Sequence, residues 1–221
     1  MSLAAVQKRI MAACERSGRN PHRVKLVVVS KQHDCSEIED KVLRQGHYIL
    51  GENRIQEWRD KVLAFEQEKQ VQEKQAIEWH MIGNLQSNKV KYCKPFHLIH
   101  SLNSERLADA LEAHGAKHQH CFNCLIEVNA AAETSKQGIR LEDAKALLSY
   151  VSALDYVRVL GLMTMAPWVE DPEKVRLVFR QTKALADDLG LKEVSMGMSN
   201  DFEIAIEEGS SIVRIGSAVF V

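Results

Sequence analysis

Short apolar runs alternate with longer amphipathic stretches along the whole chain, and this alternation limits the fold more than any other feature. The strand candidates are Val24–Val29, Tyr48–Leu50, Glu78–Ile82, His97–His100, Phe122–Val128, Val157–Gly161, Glu193–Met196 and Ile212–Ile215. Most are rich in β-branched residues and bounded by Gly, Ser, Asn or Pro, as strands should be. Between them lie helical patterns. Val175, Val178, Phe179, Thr182, Leu185, Ala186 and Leu189 make one apolar face, and Leu107, Ala110, Leu111 and His114 repeat the idea on a shorter helix. Repeated β-then-α order requires crossover connections and therefore a parallel sheet. Eight unbroken units suit a closed barrel better than an open doubly wound sheet. Leu3, Val6, Ile10 and Ala13 add a surface helix ahead of the first strand. The expected fold class is α/β, a single (β/α)8 TIM-type barrel with an extra N-terminal helix.

Length fits that expectation. Such barrels typically have about 250 residues, so 221 residues make a compact one with short loops. No linker interrupts the pattern, and residues 1–221 are expected to form one domain. With 45% hydrophobic and 27% charged residues, the chain has the material for a sizeable core. The net charge is -1 and the basic residues are spread out, which does not fit a nucleic-acid partner. No apolar run approaches a membrane span, and no continuous apolar segment opens the chain as a secretory signal would. Five irregularly spaced cysteines fit a reducing compartment, so a cytoplasmic protein is expected. The polar stretch Glu66–Gln75 reads as a solvated continuation of the helix before it.

In a barrel the chemistry sits where strands end and βα loops begin. The first strand ends in Val28-Val-Ser-Lys31, which puts a lysine at the mouth. Its amine is expected near apolar walls, where desolvation lowers a lysine pKa and frees the amine for Schiff-base formation. Taken alone, a strand-end lysine more often reaches solvent. The last strand ends in Arg214-Ile-Gly-Ser217. Gly216 lets backbone N–H groups approach an anion and Ser217 adds a hydroxyl, as in the phosphate sites that barrels build after strands seven and eight. Ser199 and Asn200 also read as helix N-caps, with Glu203 placed for a capping box. Arg214 lies inside an apolar strand, where an unpaired guanidinium is costly; a structural ion pair or a ligand atom would satisfy it. A mouth lysine, a late phosphate cradle and an inward arginine together outline a site for a phosphorylated aldehyde.

Other candidates are weaker. Cys121 and Cys124 are spaced like a redox pair, but on a strand they face opposite sides. His114, His118 and His120 could capture a metal opportunistically, but no dedicated metal site is expected. His80 and His100 fit hydrogen-bonded core histidines better than pocket residues. There is no HExxH, no Walker loop and no GxGxxG.

Further segments carry a resemblance: Gly51-Glu-Asn-Arg-Ile-Gln-Glu57, Glu78-Trp-His-Met-Ile-Gly83, Leu85-Gln-Ser-Asn-Lys-Val90 and Ile99-His-Ser101. They continue with Thr134-Ser-Lys-Gln-Gly138, Gly161-Leu-Met-Thr164, Ser195-Met-Gly-Met-Ser199, Glu203 with Ala205-Ile206, and Val213-Arg-Ile-Gly-Ser-Ala218. With Val28–Lys31, these make the chain resemble the pyridoxal phosphate homeostasis proteins, single-domain relatives of the alanine racemase barrel. The resemblance implies that Lys31 holds pyridoxal 5'-phosphate (PLP) as an internal aldimine and that Asn53 lies on the ring-hydroxyl side. It implies further that Met198, Ser199, Gly216 and Ser217 surround the phosphate while Arg214 faces the pyridine nitrogen. Lys89 and Lys136 match further basic positions of the family. Two departures stand out. Gln32-His33-Asp34 replaces the Thr-Lys-Pro-like continuation common after the lysine, and the chain stops at Val221, directly after the cradle.

A cation beside the ring nitrogen disfavours its protonation, which weakens the ring as an electron sink. No sequence follows that would form the racemase's second domain, with its opposing base. The expected function is therefore a monomeric cytoplasmic carrier that buffers PLP, supplies it to apo PLP-dependent enzymes, and has no catalytic residues of its own. The alternative is a weak PLP-dependent amino-acid racemase, and a third reading is a Schiff-base aldolase using Lys31 on a sugar phosphate.

Overall fold

A computed structural model of the chain describes residues 1–67, 76–131 and 137–220. The strands are Lys25–Val29 (β1), Ile49–Glu52 (β2), Glu78–Met81 (β3), Phe96–Leu102 (β4), Phe122–Glu127 (β5), Val157–Met163 (β6), Glu193–Ser195 (β7) and Ile212–Ile215 (β8). They pair in parallel and in sequence order, and β8 closes on β1 with Val27 opposite Arg214. The expected barrel is present, and every strand candidate overlaps an observed strand.

The helices among the described residues are Leu3–Arg16 (α1), Cys35–Lys41 (α2), Ile55–Gln67 (α3), Glu105–His118 (α4), Ala144–Val151 (α5), Arg176–Asp188 (α6), Phe202–Glu207 (α7) and Ser217–Phe220 (α8). Strict alternation fails at one unit. Only a 3₁₀ helix, Ser87–Tyr92, joins β3 to β4. That link is short, and Pro95 blocks helix extension before β4. Most of the polar stretch after α3 (68–75) lies outside the described residues. No described helix is long and apolar enough to cross a membrane.

Strand side chains alternate between two cores, as they must in a closed sheet. Val27, Leu98, Leu125, Met163 and Ile212 fill the barrel interior. Val28, Leu50, Ile126, Leu162 and Val213 face outward, against a helical shell that includes Phe179 of α6 and Phe202 of α7. The interior is tightly filled at Gly51, where an added Cβ would lie 2.8 Å from a Val27 methyl.

The N-terminal helix has a positional role. Leu3, Val6, Ile10 and Ala13 are buried as expected, and α1 packs on α7 and α8. Arg9 pairs with Glu203 at 2.6 Å and Arg16 with Glu207 at 2.9 Å. Just past the helix, Arg19 donates to the carbonyls of Ile206 and Ser210, at 2.6 and 2.7 Å. These contacts fasten the segments on either side of β8, whose loops shape the mouth.

Candidate functional site

A cavity of about 530 Å³ opens beside the C-terminal ends of β1 and β8, within the range of small-molecule sites. Lys31, Met198, Ser199, Arg214, Gly216 and Ser217 all line it. Six of the seven residues expected from the sequence therefore meet in one place. The seventh, Asn53, follows β2 and is not among the lining residues. Its side-chain oxygen is buried and has no hydrogen-bond partner among the described residues. Such an atom costs about 1–3 kcal/mol unless a ligand satisfies it.

Lys31 departs from expectation in its surroundings. It is exposed, because the aliphatic run before it forms the barrel wall and stops short of the lysine. The backbone just below is well fixed. Ser30 is buried and donates to Glu52 Oε1 at 2.7 Å, while Lys61 Nζ donates to the Ser30 carbonyl at 2.6 Å. The three residues after the lysine each have a local role. Gln32 adopts a left-handed conformation, φ 66°, which is strained for a residue with a side chain. His33 stacks on Phe220 with ring centroids 3.7 Å apart. Asp34 caps α2 by accepting from the Glu37 N–H at 2.8 Å.

Across the cavity, two turns meet. Ser217 Oγ donates to Ser199 Oγ at 3.0 Å, and the Ala218 N–H approaches the same oxygen at 3.4 Å. An added Cβ at Gly216 would lie 3.1 Å from the Val29 carbonyl oxygen, so this turn leaves little room for a side chain. The expected capping box is absent. The N-cap position of α7 belongs to Asp201, Glu203 is drawn to Arg9, and Asn200 donates to the Val169 carbonyl. Ser199 is therefore no cap of α7 and is bonded to Ser217 instead.

Arg214 is buried, yet no carboxylate pairs with it among the described ion pairs. It donates to Ser195 Oγ and, at 3.0 Å, to the Thr164 carbonyl. Neutral acceptors therefore replace the ion pair that such an arginine more often has. Burial lowers its pKa to about 10, opposed by the charges of Asp201 and Glu127. Glu127, at the end of β5, is a group the sequence reading missed. It is buried, one carboxyl oxygen lacks a partner among the described residues, and burial raises its pKa against the pull of Arg214.

The remaining candidates fall away from the cavity. His80 and His100 are fully buried and hydrogen-bonded, as core histidines are. Lys89 is exposed in the β3–β4 link, and Lys136 lies outside the described residues. Cys121 is exposed and Cys124 buried, both as free thiols.

By its family match, the eight-stranded barrel with a lysine after its first strand and glycine–serine turns after its last two is of the alanine racemase barrel class. The sequence model of the family described as "Alanine racemase, N-terminal domain" matches residues 1–221. The pyridoxal phosphate homeostasis protein of Aquifex aeolicus is 43% identical over 229 residues, spanning 99% of this chain and 95% of its own. That of Deinococcus radiodurans is 38% identical over 220 residues, spanning 100% of both. The solved structure of PipY from Synechococcus elongatus, with PLP bound, matches with a TM-score of 0.81 at 29% identity, covering 98% of this chain and 100% of that one. The chain belongs to the pyridoxal phosphate homeostasis protein family.

Proposed function

We propose that the protein binds PLP at this mouth through Lys31 and serves as a carrier of the cofactor, not as a dedicated catalyst. The observation that carries the reading is the convergence of Lys31, the Ser199–Ser217 pair and Arg214 on one cavity. The residues fit the group. Lys31 offers a primary amine, Ser199 and Ser217 offer hydroxyls to a phosphate, and Gly216 keeps the turn open to an anion. Arg214 would face the ring, and the Asn53 oxygen, which has no partner among the described residues, is free to accept from a hydroxyl. When bound, the cofactor supplies an aldehyde that condenses reversibly with amines.

The openness of the mouth favours a carrier. Lys31 is exposed, and Trp168 on the rim is 79% exposed. Catalysis with this cofactor normally wants a closed, dry site, whereas release and hand-over need access. A weak racemase is the second reading, favoured by Glu127, since a buried carboxyl with a raised pKa is the kind of group that acid–base chemistry uses. We place the carrier in the cytoplasm as a monomer that serves apo PLP-dependent enzymes. The test is transfer. Holo-protein mixed with a cofactor-free acceptor enzyme should restore activity beyond a control of free PLP, set to the concentration the holo-protein releases spontaneously. Transfer equal to that control would reduce the role to buffering, and robust turnover of a D- or L-amino acid would establish the racemase instead.

A further inference from the structure

Beneath the mouth, a continuous run of polar side chains crosses the barrel interior. Glu78, at the start of β3, accepts from Lys25 Nζ at 2.6 Å and is bonded by His80 Nε2 at 2.9 Å. His80 Nδ1 lies 2.8 Å from His100 Nε2, and His100 Nδ1 lies 3.0 Å from Ser195 Oγ. Ser195 Oγ in turn accepts from Arg214 Nη1. His80, His100 and Ser195 are all fully buried. The run thus links a half-buried ion pair at one end of the barrel to the buried arginine that lines the cavity at the other.

Proton accounting gives the run a single direction. The hydrogen bond from His80, aided by Lys25, holds the Glu78 carboxyl down at about 2, so it is an acceptor only. The proton it receives must sit on His80 Nε2. Burial lowers the pKa of His80, and the neutral ring then has a bare Nδ1 that accepts. His100 must supply the proton from Nε2. Burial, together with His80, Arg214 and Lys25, lowers the pKa of His100 well below the usual range, so its Nδ1 accepts from the Ser195 hydroxyl. Ser195 has then spent its only proton, and its lone pairs are left for Arg214. All four bonds point from Arg214 toward Glu78, an arrangement in which each bond polarises the next.

We propose that His80 and His100, each as the neutral Nε2–H tautomer, are positioning residues that act through Ser195 to fix the Arg214 guanidinium at the cofactor cavity. The inference rests on the reading of that cavity as a PLP site. A guanidinium held only at the Thr164 carbonyl could pivot; a second anchor at Ser195 sets its plane. The groups facing the two rings are Glu78, Lys25, His97 and Arg214, and all but Glu78 oppose a positive charge on them. The run should therefore persist as pH falls through the ordinary histidine range, near 6.5.

Two measurements test this. Long-range ¹H–¹⁵N spectra of the protein without added cofactor should show both histidines neutral and protonated at Nε2 from neutral pH down through about 6.5. Dissociation of PLP, followed by its visible absorbance, should be about tenfold faster in Ser195→Ala, the scale of one hydrogen bond to a charged group, while Ser195→Thr, which keeps the hydroxyl, should stay near wild type. A histidine protonated at Nδ1 or cationic at neutral pH would overturn the proposal. So would equal dissociation from wild type and Ser195→Ala. The spectra need no substitution, so they decide the matter even if the alanine variant does not fold. A wild-type protein that takes up no PLP would instead overturn the reading of the mouth, and the positioning role with it.

Discussion

At the mouth, Lys31 is exposed and Gln32 is held in a left-handed conformation, and after β2 Asn53 buries an oxygen with no partner among the described residues. One layer deeper, His80, His100 and Ser195 are fully buried, and every side-chain nitrogen and oxygen among them is bonded. The contrast separates a surface that is built to receive something from a support that is already complete. Unmet polar groups and backbone strain are costly, and they persist where a ligand or a function requires them. A completed network beneath them holds the receiving groups in place.

Removing the mouth's amine should have the largest effect. Lys31→Ala is expected to lose the stable visible absorbance of bound PLP while keeping stability within about 0.5 kcal/mol, since the side chain is exposed and away from the core. Absorbance and denaturant titration on one sample would check both halves. A clear loss of stability would mean that Lys31 belongs to the supporting layer.

Next comes the cradle. Pyridoxal lacking its phosphate should bind more than about tenfold more weakly than PLP, because charged hydrogen bonds of about 1.5–3 kcal/mol each are lost. Comparable affinities from a binding titration would move the phosphate site away from Ser199, Gly216 and Ser217.

The smallest effect concerns the lower end of the interior run. Glu78 has its folded pKa depressed from 4.5 to about 2, so its contribution to stability is present above about pH 4.5 and is lost as pH falls toward about 2. The stability difference between wild type and Glu78→Gln should shrink over that window. A difference that stays constant would show that the ionised carboxylate does not support the run.

Much of the mouth was legible because a barrel fixes where chemistry can sit. Once eight strands are located, Lys31, Arg214, Gly216 and Ser217 fall at strand ends by position alone. The environment of Lys31 was not legible, since an aliphatic run describes the wall and not the head group beyond it. The cap assigned to Ser199 and Asn200 failed because Arg9, from a helix far away in sequence, claims Glu203. The interior run was the least legible. His80 and His100 come together through the pairing of β3 with β4, and Arg214 reaches Ser195 from the adjacent β8. His100 and Ser195, however, meet across the barrel from strands that are not neighbours. No spacing along the chain encodes that contact. Glu127 escaped notice for the same reason, because its burial beside Arg214 exists only in the closed barrel.

Chemical trapping can identify the residue that holds the cofactor. Borohydride reduction of the holo-protein, followed by peptide mapping, should place the pyridoxyl group on Lys31. A label found mainly on Lys89 or Lys136 would contradict the assignment of Lys31 and, with it, the site built around the first and last strands.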